Sequence, residues 1–130
     1  MATAVKTVRT LVAAGTSNGV GSTTRGGQNF ATALGGSLTF KVTNGGTGPS
    51  AGCTINVLEA HNATLPTLAS AGVDWKTIYS VTAGITASTV YEFPPFVFGP
   101  EIMNLEVEFT GNTSQAVTVE AFVSEITSIG

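Results

Sequence analysis

The chain has 130 residues, 42 % hydrophobic but only 10 % charged, with a formal net charge of −3. That length makes one domain, 1–130, with room for a real core, and the charge is far below the roughly 25 % of an ordinary soluble domain. The five basic residues (Lys6, Arg9, Arg25, Lys41 and Lys76) are scattered, which excludes a nucleic-acid footprint, and a single cysteine excludes an internal disulfide or a thiolate metal cluster.

The opening "MATAVKTVRTLVAAG" predicts a strand over 5–13, with 1–10 as an N-terminal arm or edge strand. It lacks the continuous apolar core of a secretory signal, and no run approaches the ~18 apolar residues of a membrane helix. The product is therefore expected to be made in a cytoplasm, and the N-x-S/T tripeptides at Asn62 and Asn112 read as turn chemistry. After "GTSNGVGSTTRGG", period-two patches predict further strands at 27–33, 37–44, 53–61, 75–82, 88–93, 102–110 and 116–126. Thr, Val, Ile and Phe dominate them, as half-buried pleated surfaces favour. Gly/Asn/Ser/Thr clusters separate them every ten or so residues, the signature of an antiparallel sandwich or barrel. The expectation is an all-β, jelly-roll-like antiparallel β-sandwich of about eight strands. "LPTLASAGVD" allows one short helical turn ended by Gly72.

Two hairpins suggest themselves from the alternation. Strand 37–44 against 53–61 would pair Val42 with Cys53, Phe40 with Ile55 and Leu38 with Val57, joined by "NGGTGPSAG" as a mobile finger. "NLEVEFTGNTSQAVTVEAF" would pair Phe109 with Val117, Val107 with Val119 and Leu105 with Ala121, placing Glu106 opposite Glu120 on the outer face. Such a carboxylate pair invites a cation or a basic partner. A glycosidase would further need a cleft and one acid with a raised pKa, and Ca²⁺ would need more converging oxygens than regular strands project. The glutamates are therefore expected to keep one face wet.

Other chemistry is sparse. His61 is the lone histidine, so no His-based metal cluster exists, and no G-x-S-x-G elbow unites it with Asp74 and a serine. Cys53, in "GCTINVLEA", reads as a buried small hydrophobe. "GSTTRGGQNF" lacks the lysine and helix of a phosphate-binding loop, leaving Arg25 as a solvated residue or a contact to another subunit. Trp75, Tyr79 and Tyr91 are candidates for a sugar-stacking platform, although a sandwich core uses such residues too. In "EFPPFVFGP", Pro94, Pro95 and Pro100 demand an edge, corner or loop, so Phe93, Phe96 and Phe98 either plug the sandwich or form a contact patch. No catalytic residue, metal ligand or cofactor is assigned.

With the strands laid out, "GGSLTFKVTNGGTGPSAGCTINV", "DWKTIYSVTAGITAS" and "MNLEVEFTGNTSQAVTVEAFVSEITSI" resemble small β-sandwich virion proteins of tailed bacteriophages, which decorate or cement capsids or sit on the neck and tail. The resemblance implies a non-enzymatic virion protein held by contacts to major capsid or other virion proteins, and a homo-oligomer such as a trimer. It implies neither nucleic-acid nor membrane partners. Arg9, Arg25, Phe96 and Phe98, with the loops 18–27, 45–52 and 94–100, are the expected contacts. The alternative is a carbohydrate-binding sandwich of a tail or neck appendage, stacking sugars on Trp75 and Tyr91.

Overall fold

The structure is a computed structural model that describes residues 3–68 and 74–129. Among these residues every regular element is a strand: β1 (Ala4–Asn18), β2 (Thr24–Asn29), β3 (Gly35–Asn44), β4 (Thr54–Ala60), β5 (Lys76–Thr82), β6 (Val90–Glu92), β7 (Phe96–Phe98), β8 (Asn104–Thr110) and β9 (Val117–Ile129). They form two antiparallel sheets. Sheet one runs β1-β9-β3, with β6 and β7 sharing the far edge of β3, and sheet two runs β2-β8-β4-β5. Of strands consecutive in sequence, only β4 and β5 pair with each other. This winding is that of a jelly roll, with β6 and β7 together filling one strand position. Pro94 and Pro95 interrupt that position because proline has no N–H to give the ladder. The expected loop at 94–100 thus contains a short edge strand, opposite Gly36–Leu38.

Neither predicted hairpin forms. Val42 lies opposite Val119, Phe40 opposite Ala121 and Leu38 opposite Val123, while Ile55 lies opposite Phe109 and Val57 opposite Val107. Strands β3 and β4, like β8 and β9, belong to different sheets and face each other across the core. Alternation correctly identifies the inward residues, but it buries the same residues whether two strands lie side by side or face to face. Leu38, Val42, Cys53, Ile55, Val57, Leu105, Val107, Phe109 and Val123 are all buried in this core. Each large side chain there contributes ~1.5–3 kcal/mol relative to exposure.

The segment 61–68 after β4 folds back over the outer face of sheet two. It builds a second small core from Leu58, Ala60 and Trp75, with Leu68 packed on it. Gly27 makes room there, since a Cβ at that position would meet Leu68 Cδ2 at 2.6 Å. Half of the candidate helical turn at 65–74 lies outside the described residues, and 65–68 carry no helix. Strand β1 continues past its expected end by means of register shifts between Thr10 and Thr16, where Gly15 takes a φ of +77°. Such irregularities bend an edge strand without ending its pairing.

Candidate functional site

The three glutamates of the predicted 104–122 hairpin are dispersed by the winding. Glu106 and Glu108 project from the outer face of sheet two, and Glu120 from that of sheet one. Arg25 on β2 reaches both of the former, with Nη1 2.9 Å from Glu106 Oε1 and 2.5 Å from Glu108 Oε2. Asn56 Nδ2 donates to Glu108 Oε1 at 2.8 Å, and Ser80 Oγ donates to Asn56 Oδ1 at 2.7 Å. A polar row therefore crosses all four strands of the sheet. Burial alone would depress the Arg25 pKa, but the hydrogen bond with Glu106 and the charges of Glu108 and Glu106 outweigh it and hold it above its ordinary value.

Several other charges are also engaged. Arg9 ties the sheets together: Nη1 lies 3.0 Å from Glu125 Oε1, Nη2 donates to Gln28 Oε1, and the guanidinium sits 5.5 Å from the Phe30 ring centroid. Lys41 Nζ lies 3.4 Å from Glu120 Oε1, with Glu92 opposite Lys41 on its other side. These three residues with Thr39, Phe40 and Phe93 line an open pocket of about 270 Å³. His61 is exposed and 3.7 Å from Glu59. Among the described residues no three His, Cys, Asp or Glu side chains converge to hold a metal ion. No helix there is long and apolar enough to cross a membrane.

The aromatic candidates separate. Trp75 is 3 % exposed in the small core of sheet two, with Nε1 donating to Thr67 O at 3.0 Å, so its ring offers no face to a sugar. Tyr91 lies on sheet one, half-buried, its hydroxyl accepting from Thr86 N at 3.1 Å. The platform of Trp75 and Tyr91 is therefore not assembled. Tyr79 joins a chain of rings, 6.3 Å from Phe40 and 6.1 Å from Phe96. Phe98 is buried 5.4 Å from Phe30 and acts as a plug, and Phe96 is half-buried. Of the four residues expected to meet partners, Arg9, Arg25 and Phe98 are thus spent on internal contacts, and Phe96 largely so.

Exposed apolar side chains also stand on the outer face of sheet one. Val8, Ser124, Ser37 and Val97 stand in one row across β1, β9, β3 and β7. The two valines ending it are 69 % and 75 % exposed. In the next row the half-buried Phe122 stands between Thr10 and Thr39. Beside these rows runs a groove of about 370 Å³, walled by Leu34, Val97, Phe98 and Ile126, with Lys6 at its rim. Gly36, which lines it, makes room for the buried Phe98 ring, because a Cβ there would meet Phe98 Cζ at 2.7 Å. Chemically the groove suits an apolar segment carrying an acidic group that Lys6 can meet. Sequence reading passed over Val97, although the signal was present: if Phe98 faces inward in "PPFVFGP", Val97 must face outward.

No protein-family model and no curated protein matches the sequence. Among solved structures, the dimeric latent PorU of Porphyromonas gingivalis is similar with a TM-score of 0.53 at 13 % identity, and infectious bursal disease virus Gx strain with 0.50 at 14 %. Each alignment covers 95 % of this chain, which spans only 13 % and 32 % of those longer chains. A C-terminal family 22 carbohydrate-binding module of Clostridium thermocellum Xyn10B aligns with a TM-score of 0.46 at 10 % identity, over 95 % of this chain and 87 % of the module. At such identities the likeness to PorU and to the viral protein concerns the fold alone: this chain is an antiparallel β-sandwich.

Proposed function

We propose that this chain is a non-enzymatic structural protein of a virion: a capsid decoration or cement protein of a tailed bacteriophage, bound to the shell through protein–protein contacts. The observation that carries the reading is the groove walled by Val97. Most ionic groups are paired off within the fold, while Val97 stands exposed on the groove wall and Val8 at the opposite edge of the same face. Large exposed apolar patches on small proteins mark contacts with other protein. The jelly-roll winding, common to viral capsid and lectin domains, the low charge and the resemblance of the quoted segments support the same reading. The major capsid protein is the proposed partner, offering an apolar segment with an acidic group for Lys6.

Mass spectrometry of purified particles tests this, with peptides of the chain expected in many copies per virion. Recombinant protein should rebind particles that lack it. Val97→Glu should abolish that rebinding and Lys6→Glu weaken it, both with unchanged melting. Absence from purified particles, or full rebinding by both variants, would overturn the proposal.

A further inference from the structure

The sequence contains two Asn–Gly steps, Asn18–Gly19 and Asn44–Gly45. The asparagines are the last residues of β1 and β3, and both are buried, at 0 % and 2 % exposure. Asparagine before glycine is the dipeptide most open to spontaneous deamidation. With no Cβ on the glycine to crowd it, the following backbone nitrogen can attack the side-chain Cγ. In both places the fold spends the side-chain amide on internal hydrogen bonds, but it does so in two different ways.

Asn18 is held from several sides. Its Nδ2 donates to Ser22 O at 3.2 Å and to Asn112 Oδ1 at 2.6 Å, and its Oδ1 accepts from Thr24 Oγ1 at 2.8 Å. Asn44 hangs from one loop. Its Nδ2 donates to Gly84 O at 3.1 Å and to Thr86 O at 3.0 Å, while its Oδ1 is buried with no hydrogen-bond partner among the described residues. The 83–89 loop is tied down in turn by Ser88 N donating to Gly45 O at 2.8 Å and Thr86 N donating to the Tyr91 hydroxyl at 3.1 Å. A Cβ at Gly48 would lie 1.9 Å from Ile85 O, and Ser50 N donates to Thr113 O at 3.0 Å. The expected mobile finger at 45–52 is thus stitched to both neighbouring loops.

We propose that Asn44 is a deamidation site gated by the 83–89 loop. When residues 84–86 lift, a single opening frees the whole Asn44 amide, whereas Asn18 stays held until several elements part. The freed Cγ then swings onto the backbone nitrogen of Gly45, which is exposed to solvent and has open space where a Cβ would stand. Base removes the Gly45 amide proton, the nitrogen bonds to Cγ, and Nδ2 leaves as ammonia, closing a five-membered succinimide. Water adds to either ring carbonyl and reopens the ring to aspartate or isoaspartate. The net change is one amide hydrolysed, with no redox step. The product does not fit the old seat: a carboxylate there would set acceptor against acceptor at Gly84 O and Thr86 O in a buried site. Conversion therefore detaches the 83–89 loop for good. The inference is independent of the virion assignment, since it holds or fails in purified protein with no particle present.

Peptide mass spectrometry of protein held in mildly alkaline buffer tests it, by following amide-to-acid conversion at each asparagine. In the native protein Asn44 should convert while Asn18 stays intact. In urea both should convert, Asn44 at least about tenfold faster than in the folded chain, because only the opened loop reacts. Tyr91→Phe removes the hydroxyl that holds Thr86 N, and should speed native conversion of Asn44 about fivefold, the weight of one ordinary hydrogen bond. Its rate in urea should match the wild type. Gly45→Ala provides a second arm, because an added Cβ there meets nothing within 4 Å and the fold tolerates it; it should slow conversion in urea by crowding the attacking nitrogen. Native Asn44 that stays intact, native Asn18 converting as fast as Asn44, an unchanged native rate in the Tyr91→Phe protein, or an unchanged urea rate in the Gly45→Ala protein would overturn the proposal.

Discussion

Arg25 and Glu106 meet across the β2–β8 pair at 2.9 Å, and the carboxylate that Arg25 holds is fully buried. A buried ion pair of this kind is costly to break, because loss of one partner strands a charge in a poorly solvated site. Arg25 itself is partly exposed, so water can offset some of the loss. Arg25→Ala is expected to cost about 3 kcal/mol in urea unfolding, near the lower end for such losses. Arg25→Lys should cost less, since it restores a charge but not the guanidinium whose Nη1 meets both Glu106 and Glu108. Equal stability of the alanine variant and the wild type would mean that the pair contributes nothing to the fold.

Cys53 supplies a pH signature. Burial pushes its thiol from an ordinary 9.0 up to about 11, so the folded chain keeps a proton that the unfolded chain gives up. The contribution is fully present below 9.0 and is lost as pH rises toward 11. The slope approaches about 1.4 kcal/mol per pH unit in that window. Cys53→Ala is expected to be less stable throughout, because a cavity replaces the sulfur, yet to show a flatter pH dependence above 9.0. Identical slopes in urea titrations of the two proteins would contradict this.

Asn112 ties the 111–116 loop to the end of β1 by bonding both Asn18 and the Gln115 carbonyl, at 2.9 Å for the latter. Asn112→Ala removes these bonds from a buried position, at an expected cost of about 1–3 kcal/mol. Hydrogen exchange should quicken at 19–23 and 111–116 while the centre of β8 stays protected. Uniform exchange across the molecule would show instead that the loops carry no local stability of their own.

Most strand positions were legible in the sequence. "LTFKV", "TINV" and "LEVEF" alternate cleanly, and Leu38, Ile55 and Leu105 are all buried as the pattern requires. The split of the edge at Pro94 and Pro95 follows from the missing N–H. The fate of the charged residues was not legible. Arg25 and Glu106 lie far apart along the chain, and only the placement of β2 beside β8 joins them. Trp75 read better as core than as platform, but its place was not legible, because it is buried against Leu58 on β4 and Leu68 from the loop that returns over the outer face of sheet two.

The sequence by itself determined that the chain is all-β and which side of most strands turns inward, because side-chain direction follows from a two-residue repeat within each strand. Only the tertiary structure decided which strands are neighbours. Leu105, Val107 and Phe109 are buried equally well beside Val117, Val119 and Ala121 or across the core from them, so hydrophobic burial does not distinguish a hairpin from a crossing between sheets. That choice separates Glu106 from Glu120 and leaves Val8 and Val97 exposed on one face.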